Sequence, residues 1–93
     1  MLEGLKTEEE KQEVSDITVY PNPTNGIVNI SLPQDAKYKG IEIYSVMGRI
    51  VHKEDAKKDR LNIAINLSNN KRGLYFIKVK FDDYVITKKI ILK

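Results

Sequence analysis

Few residues of this chain have side chains that could carry out chemistry. His52 is the single histidine, and the absence of cysteine excludes a thiol nucleophile, disulfide bonds and thiolate metal ligands. Asp82 and Asp83 are adjacent, and Asp55 and Asp59 flank two lysines, but neither pair has the arrangement of an acid–base dyad or a calcium loop. The five glycines are scattered singly, so no phosphate-binding loop is formed. We therefore predict a non-enzymatic protein with no cofactor and no metal site.

Composition and length place the chain among small folded domains. Hydrophobic residues make up 41% and charged residues 31% of its 93 positions, enough for one modest core and a solvated surface. No apolar stretch approaches the roughly 18 to 20 residues that span a bilayer, so we predict no transmembrane segment. The first residues lack the basic and apolar regions of a signal peptide, so if the domain is exported we expect its leader to lie on a longer precursor.

Charge is divided unevenly along the chain. Residues 1–16 hold two lysines and six carboxylates, a net charge of −4, which leaves +7 on residues 17–93 because the whole chain carries +3. A basic domain could attract nucleic acid. Here, however, lysines alternate with apolar residues along predicted strands, as on a solvated sheet face, and we predict no nucleic-acid binding.

Seven short runs of β-branched and apolar residues follow a polar amino-terminal segment. Residues 1–15 are rich in glutamate and predict a linker, or a leader foreign to the natural chain, ahead of a single domain at residues 16–93. The runs are residues 17–20, 27–32, 41–46, 49–54, 61–67, 73–81 and 84–92. Their period of two is typical of half-buried strands. The pattern predicts an all-β, immunoglobulin-like antiparallel β-sandwich of about seven strands.

The last run is apolar on both of its predicted faces. Ile86, Ile90 and Leu92 share one face, and Val85 and Ile91 share the other. Such a strand is either buried between other elements or placed at an edge, with hydrogen-bonding groups open to a partner. Both interpretations stay open, although three lysines would discourage unwanted pairing: Lys88, Lys89 and Lys93.

Two short motifs punctuate the strands. Pro21 and Pro23 cannot donate to a ladder and so end the first strand, while Asn25 and Gly26 tolerate positive φ and would let the chain reverse. Residues 73–75 combine a turn glycine with a tyrosine that can bury its ring and hydrogen-bond a loop backbone. Taken singly, each motif is also explained as an ordinary rigid connection.

Four segments, at residues 19–26, 43–49, 67–75 and 89–93, occur in a definite order along the chain. Together they resemble the type A C-terminal sorting domain of cargo proteins that the type IX secretion system of Bacteroidota exports. The similarity covers residues 16–93. It implies that the sorting motifs contain Pro21, Asn22, Pro23, Asn25, Gly26, Gly48, Gly73, Tyr75, Lys89, Ile90, Ile91, Leu92 and Lys93.

The resemblance also implies a route and a set of partners. Cargo would fold in the periplasm and pass through the outer-membrane translocon with the help of shuttle proteins, with residues 73–93 most needed for export. A surface sortase would then cut within residues 10–16 and join the cargo to anionic lipopolysaccharide. The product would reside on the outer-membrane surface or be secreted.

Two other functions are compatible with the same pattern. An immunoglobulin- or fibronectin-like accessory module would hold carbohydrate or protein, with Tyr38, Tyr44 and Tyr84 as candidate contact residues on one face. An adhesive, self-assembling domain would exchange or pair end strands, giving a strand-mediated homodimer.

Overall fold

The seven predicted strands form two antiparallel sheets. The computed structural model describes residues 17–34, 37–57 and 60–93. Its strands are β1 (Thr18–Tyr20), β2 (Ile27–Ser31), β3 (Tyr38–Ser45), β4 (Ile50–Asp55), β5 (Asn62–Asn66), β6 (Gly73–Phe81) and β7 (Val85–Leu92). One sheet has the order β1-β2-β5 and the other the order β4-β3-β6-β7, which confirms the predicted immunoglobulin-like sandwich. The predicted linker at residues 1–15 and the cleavage segment at residues 10–16 lie outside the described residues.

Alternation along the strands fills one core between the two sheets. On β5, for example, Ile63 and Ile65 are buried while Asn62, Ala64 and Asn66 are exposed. Burying one aliphatic side chain is worth about 1.5 to 3 kcal/mol, so these rows hold the sheets together. The apolar core consists of Ile17, Val28, Ile30, Leu32, Tyr38, Ile41, Ile43, Ile63, Ile65, Leu67, Tyr75, Ile77, Val79, Phe81, Ile90 and Leu92.

Strand β3 begins three residues before its predicted start at residue 41. Lys39 is an extra residue, because Tyr38 pairs with Phe81 while Gly40 already pairs with Lys80. The bulge turns the Tyr38 ring into the core, where its hydroxyl accepts a hydrogen bond from the Lys57 amide over 3.1 Å. The prediction was wrong here because a bulge interrupts the alternation from which strands are recognised.

Strand β7 lies at the edge of the four-stranded sheet and pairs with β6 along its whole length. Ile90 and Leu92 face the core and are almost fully buried, whereas Val85 is 50% and Ile91 45% exposed. The interpretation as a buried strand and the interpretation as an edge strand therefore each describe one side of β7. Its inner face is core, and its outer side is a sheet edge.

The register of the strands defines two ends of the sandwich. At one end, Thr18 pairs with Ser31, and we call this the Thr18 end. Strand β1 then runs to the loop at residues 21–26, which lies at the opposite end. At this opposite end Leu92 pairs with Gly73 and forms a bridge with Thr24 of the loop. We call this second end the Leu92 end. The described chain therefore starts at the end opposite to the one where β7 finishes.

The outward face of the four-stranded sheet carries one buried carboxylate. Glu42 lies between Ile41 and Ile43, which face the core, and is only 6% exposed. Lys80 Nζ donates to its Oε2 over 2.7 Å, and the Tyr44 hydroxyl donates to its Oε1 over 2.5 Å. These hydrogen bonds, first from Lys80 and then from Tyr44, lower the pKa of Glu42 below its ordinary value. The bond to Glu42 raises the pKa of Lys80.

The hydrogen bonds of Glu42 should make the stability of the domain sensitive to acid. A carboxyl whose pKa is lowered by folding contributes stability above its unfolded pKa, near 4.5, and loses it as the pH falls through the lower folded value. We expect the free energy of unfolding of the wild type to fall more steeply in acid than that of Glu42→Gln. Urea titrations at neutral pH and at about pH 3 measure both slopes.

The control for this prediction is an exposed ion pair. Asp82→Asn removes the ion pair between Asp82, whose side chain is 60% exposed, and Lys39, whose side chain is 66% exposed. Because exposed pairs contribute little to stability, this variant should respond to acid as the wild type does. Equal acid losses in the wild type and in Glu42→Gln would contradict the expected role of Glu42.

Candidate functional site

The side chain of Asn22 binds the outer edge of β7. Its Nδ2 donates to the Lys89 carbonyl over 3.0 Å, and its Oδ1 accepts a hydrogen bond from the Ile91 amide over 3.0 Å. An asparagine amide has one donor and one acceptor group, so it can replace the backbone of a neighbouring strand. Asn22 thereby joins two chain segments that are 67 residues or more apart.

Thr24 extends this contact with its own backbone. The Thr24 amide donates to the Ile91 carbonyl over 2.8 Å, and its carbonyl accepts from the Lys93 amide over 2.9 Å, which makes a parallel bridge to β7. The side chain is 1% exposed, and its hydroxyl donates to the Ile27 carbonyl and accepts from the Gly26 amide. These internal bonds fix the loop in the shape that the strand requires.

Arg72 connects the same loop to the end of β7. Its Nη1 donates to the Lys93 carbonyl over 2.7 Å and to the Asn25 carbonyl over 3.3 Å. We call the contacts of Asn22, Thr24 and Arg72 with residues 89–93 the clamp. Thr24 and Arg72 were not among the predicted motif residues, because no local pattern reveals a hydrogen bond between distant segments.

The clamp covers the second half of the outer edge of β7, so the interpretation of this strand as an open edge applies only to its first half. Outward backbone groups at Lys89, Ile91 and Lys93 are bound to the loop, so this half of the edge is already occupied. Backbone groups alternate between the two sides of an antiparallel strand. In the first half of β7, Val85 and Thr87 direct their outward groups beyond the same edge of the described sheet, where the loop does not reach.

The three predicted motif glycines have two structural roles. Gly48 (φ 88°) and Gly73 (φ 144°) adopt positive φ values that favour glycine. Gly26 does not, so the predicted reversal through positive φ at this residue was wrong. It packs closely against a neighbouring segment instead, because a Cβ there would lie 3.1 Å from the Cβ of Ser68.

Tyr75 buries its ring and anchors a loop, as predicted. The residue is 4% exposed, and its hydroxyl donates to the carbonyl of Lys71. A tyrosine that bonds to backbone a few residues upstream is the corner found in many immunoglobulin-like domains. Ile90 pairs with Tyr75 on β7, and Ser45 pairs with it on β3.

A groove adjoins the clamp at the Leu92 end. It has a volume of about 370 Å³ and lies between residues 45–51 and residues 70–75. Arg72 and Gly73 belong to its lining, so the groove and the clamp share a wall. The turn at Gly48, the tyrosine corner and the last strand, which are far apart in the sequence, therefore meet in one region.

The other candidate residues are placed elsewhere. Tyr38 lies in the core, so the three tyrosines considered for an accessory binding module do not form one exposed face. Tyr84 stacks on Phe81 beside the 82–83 hairpin, with 4.7 Å between ring centroids. His52 Nε2 lies 2.9 Å from Glu54 Oε1 on β4. In the part of the chain that the structure describes, no histidine and carboxylate side chains gather into a metal site, and no helical segment has the length and hydropathy to cross a bilayer.

These features define a small immunoglobulin-like β-sandwich whose last strand is held by a clamp from its first loop. A family model described as a secretion system C-terminal sorting domain matches residues 18–93. The chain belongs to this family. It is a sorting signal of the type IX secretion system, which exports cargo to the cell surface or out of the cell.

Two known proteins contain a similar segment. Ulvan lyase NLR42 of Nonlabens ulvanivorans is 29% identical over 92 residues, which are 97% of this chain and 17% of that protein. An endo-acting ulvan lyase of Formosa agariphila is 30% identical over 93 residues, which are 99% of this chain and 18% of that protein. The chain thus spans less than a fifth of either relative. Within this family, the domain is the sorting segment and not a catalytic one.

We expect the clamp to contribute to the stability of the domain. Asn22→Ala should lower the free energy of unfolding by about 1 to 2 kcal/mol, because the Lys89 carbonyl and Ile91 amide lose their partner. Amide hydrogen exchange at Ile91 should accelerate as well. Asn25→Ala is the matched control, since the Asn25 backbone carbonyl, and not its side chain, contacts Arg72. Unchanged exchange at Ile91 in Asn22→Ala would contradict the role of the clamp.

Proposed function

We propose that the secretion machinery recognises the Leu92 end of the folded sandwich, while the cargo is attached through the opposite Thr18 end. The observation that carries this proposal is the convergence of distant motifs at the Leu92 end, where the clamp and the groove meet at Arg72 and Gly73. With recognition and attachment at opposite ends, a bulky cargo does not obstruct the receptor. The recognised feature is then a rigid surface that stays the same from one cargo to another.

The clamp favours a receptor that docks on the formed surface over one that adds a strand to β7. Strand addition requires a run of open backbone groups. Here the loop occupies the edge at residues 89–93, which leaves the stretch around Val85 and Thr87. Pairing of two copies through β7 would be confined to the same short stretch.

The proposed route is the one that membership of the sorting-domain family implies. Cargo folds in the periplasm, and shuttle proteins bring it to the outer-membrane translocon. A surface sortase then cuts within residues 10–16 and joins the new carboxyl end of the cargo to anionic lipopolysaccharide. The start of the fold supports this site, because Ile17 already belongs to the core and a protease needs chain that precedes packed structure.

Mass spectrometry of an exported reporter tests the route. The reporter carries a periplasmic export leader and ends in the full chain, in a host with the translocon and sortase. We expect a new carboxyl terminus within residues 10–16 that bears lipopolysaccharide, and an intact chain to Lys93 in a host without the sortase. A terminus inside residues 18–93 would contradict the proposal.

A further inference from the structure

The tip of the β3–β4 hairpin presents apolar side chains to solvent beside the groove. Val46 is 58% exposed and Met47 is 88% exposed, and both line the groove together with the half-buried Leu74. Turns usually consist of glycine, proline, asparagine, aspartate and serine. Adjacent exposed apolar residues at such a position, next to a concave surface, are typical of a contact site.

The charged residues of the groove all have the same sign. They are Arg49, Lys71 and Arg72, and the lining contains no carboxylate. Arg72 serves the clamp through its Nη1. Arg49 and Lys71 contribute only backbone atoms to hydrogen bonds within residues 17–34, 37–57 and 60–93, and their side chains have no ion-pair partner there. Two cations thus remain available at the rim of an apolar groove.

We propose that this groove binds a protein partner through a short acidic segment that carries an apolar anchor side chain. The anchor would enter between Met47 and Leu74, where methionine adapts to irregular shapes. Carboxylates of the segment would bind Arg49 through its guanidinium, which pairs with a carboxylate in a bidentate manner, and Lys71 through its ammonium. This inference rests on the proposed function, since it identifies the chemistry by which a receptor would read the Leu92 end.

A protein segment matches the groove better than a membrane surface does. The groove is concave and has a volume of about 370 Å³, within the range of sites that enclose one ligand group. A flat bilayer contributes no protruding group to fill such a space. Its negative charge would also attract lysines across the domain, and not mainly the two cations at this rim, Arg49 and Lys71.

Direct binding of peptides tests the ligand class. The purified 93-residue chain is titrated against a fluorescein-labelled peptide that contains several glutamates and one central leucine. A second peptide has serine in place of leucine. We expect saturable, salt-sensitive binding of the first peptide, and binding weaker by about ten-fold or more for the second and for the Arg49→Glu/Lys71→Glu variant. Equal binding of both peptides, or stronger binding to vesicles with anionic phospholipid than to the peptide, would overturn the proposal.

Export of the reporter separates this inference from the proposed function. Arg49→Glu/Lys71→Glu should reduce export by about ten-fold or more, as loss of a central contact does, without a change in melting temperature. The control, Lys37→Glu/Lys57→Glu, changes the net charge equally at exposed positions outside the groove and should export normally. Normal export of the groove variant would overturn the inference and leave the sorting function intact. Absence of export of the wild-type fusion would contradict the sorting function itself.

Discussion

Deletion of residues 90–93 is expected to unfold the domain and to abolish export of a cargo fused to it. Ile90 and Leu92 are 0% and 1% exposed, and they pair with Tyr75 and Gly73. Loss of one such side chain lowers the free energy of unfolding by about 2 to 5 kcal/mol. The loss of two therefore approaches the total stability of small domains, which is about 5 to 15 kcal/mol. Circular dichroism reports the loss of fold, and the surface fraction of a reporter reports the loss of export.

Two milder changes serve as controls for this deletion. Removal of Lys93 alone leaves both buried side chains in place and removes only its contacts with Thr24 and Arg72, so we expect a folded, slightly less stable domain. Ile91→Ser alters a side chain that is 45% exposed and should retain the fold. A folded domain after deletion of residues 90–93 would show that β7 is dispensable for the sandwich, contrary to this account.

Tyr75→Ala is expected to lower the free energy of unfolding by about 3 to 5 kcal/mol, because it removes a large buried side chain. The ring is 4% exposed and lies between Ser45 on β3 and Ile90 on β7. Tyr75→Phe keeps the ring and removes only the hydroxyl that binds the Lys71 carbonyl, so its expected loss is about 1 to 2 kcal/mol. Urea unfolding of the three proteins measures both differences.

The two substitutions also separate packing from the corner contact. If Tyr75→Phe were as damaging as Tyr75→Ala, the hydroxyl would account for the whole effect and the packing argument would be wrong. If neither substitution changed stability, the tyrosine corner would have no structural role in this domain.

Local sequence patterns predicted those parts of the fold that depend on neighbouring residues. Ile63, Ile65 and Leu67 alternate with the exposed Ala64 and Asn66, and they face the core as expected. Pro21 and Pro23 follow the end of β1 at Tyr20, because proline cannot donate to a ladder. In each case the determining interaction lies within a few residues of the chain.

Contacts between distant segments could not be predicted in this way. The side chain of Asn22 meets β7 across at least 67 residues, and nothing in residues 21–26 alone indicates that partner. Gly26 was explained by its backbone freedom, but in the structure it packs closely against Ser68 on a neighbouring segment. The groove likewise appears only when the β3–β4 hairpin and residues 70–75 are placed side by side.

Export of a neutral reporter that ends in this chain shows whether the domain acts as a sorting signal. A periplasm-targeted fluorescent protein would be fused to residues 1–93 and expressed in paired hosts, one with the type IX translocon and one without it. We predict fluorescence on the cell surface or in the medium of the first host, and retention in the periplasm of the second. Equal release from both hosts, or retention in both, would contradict the account.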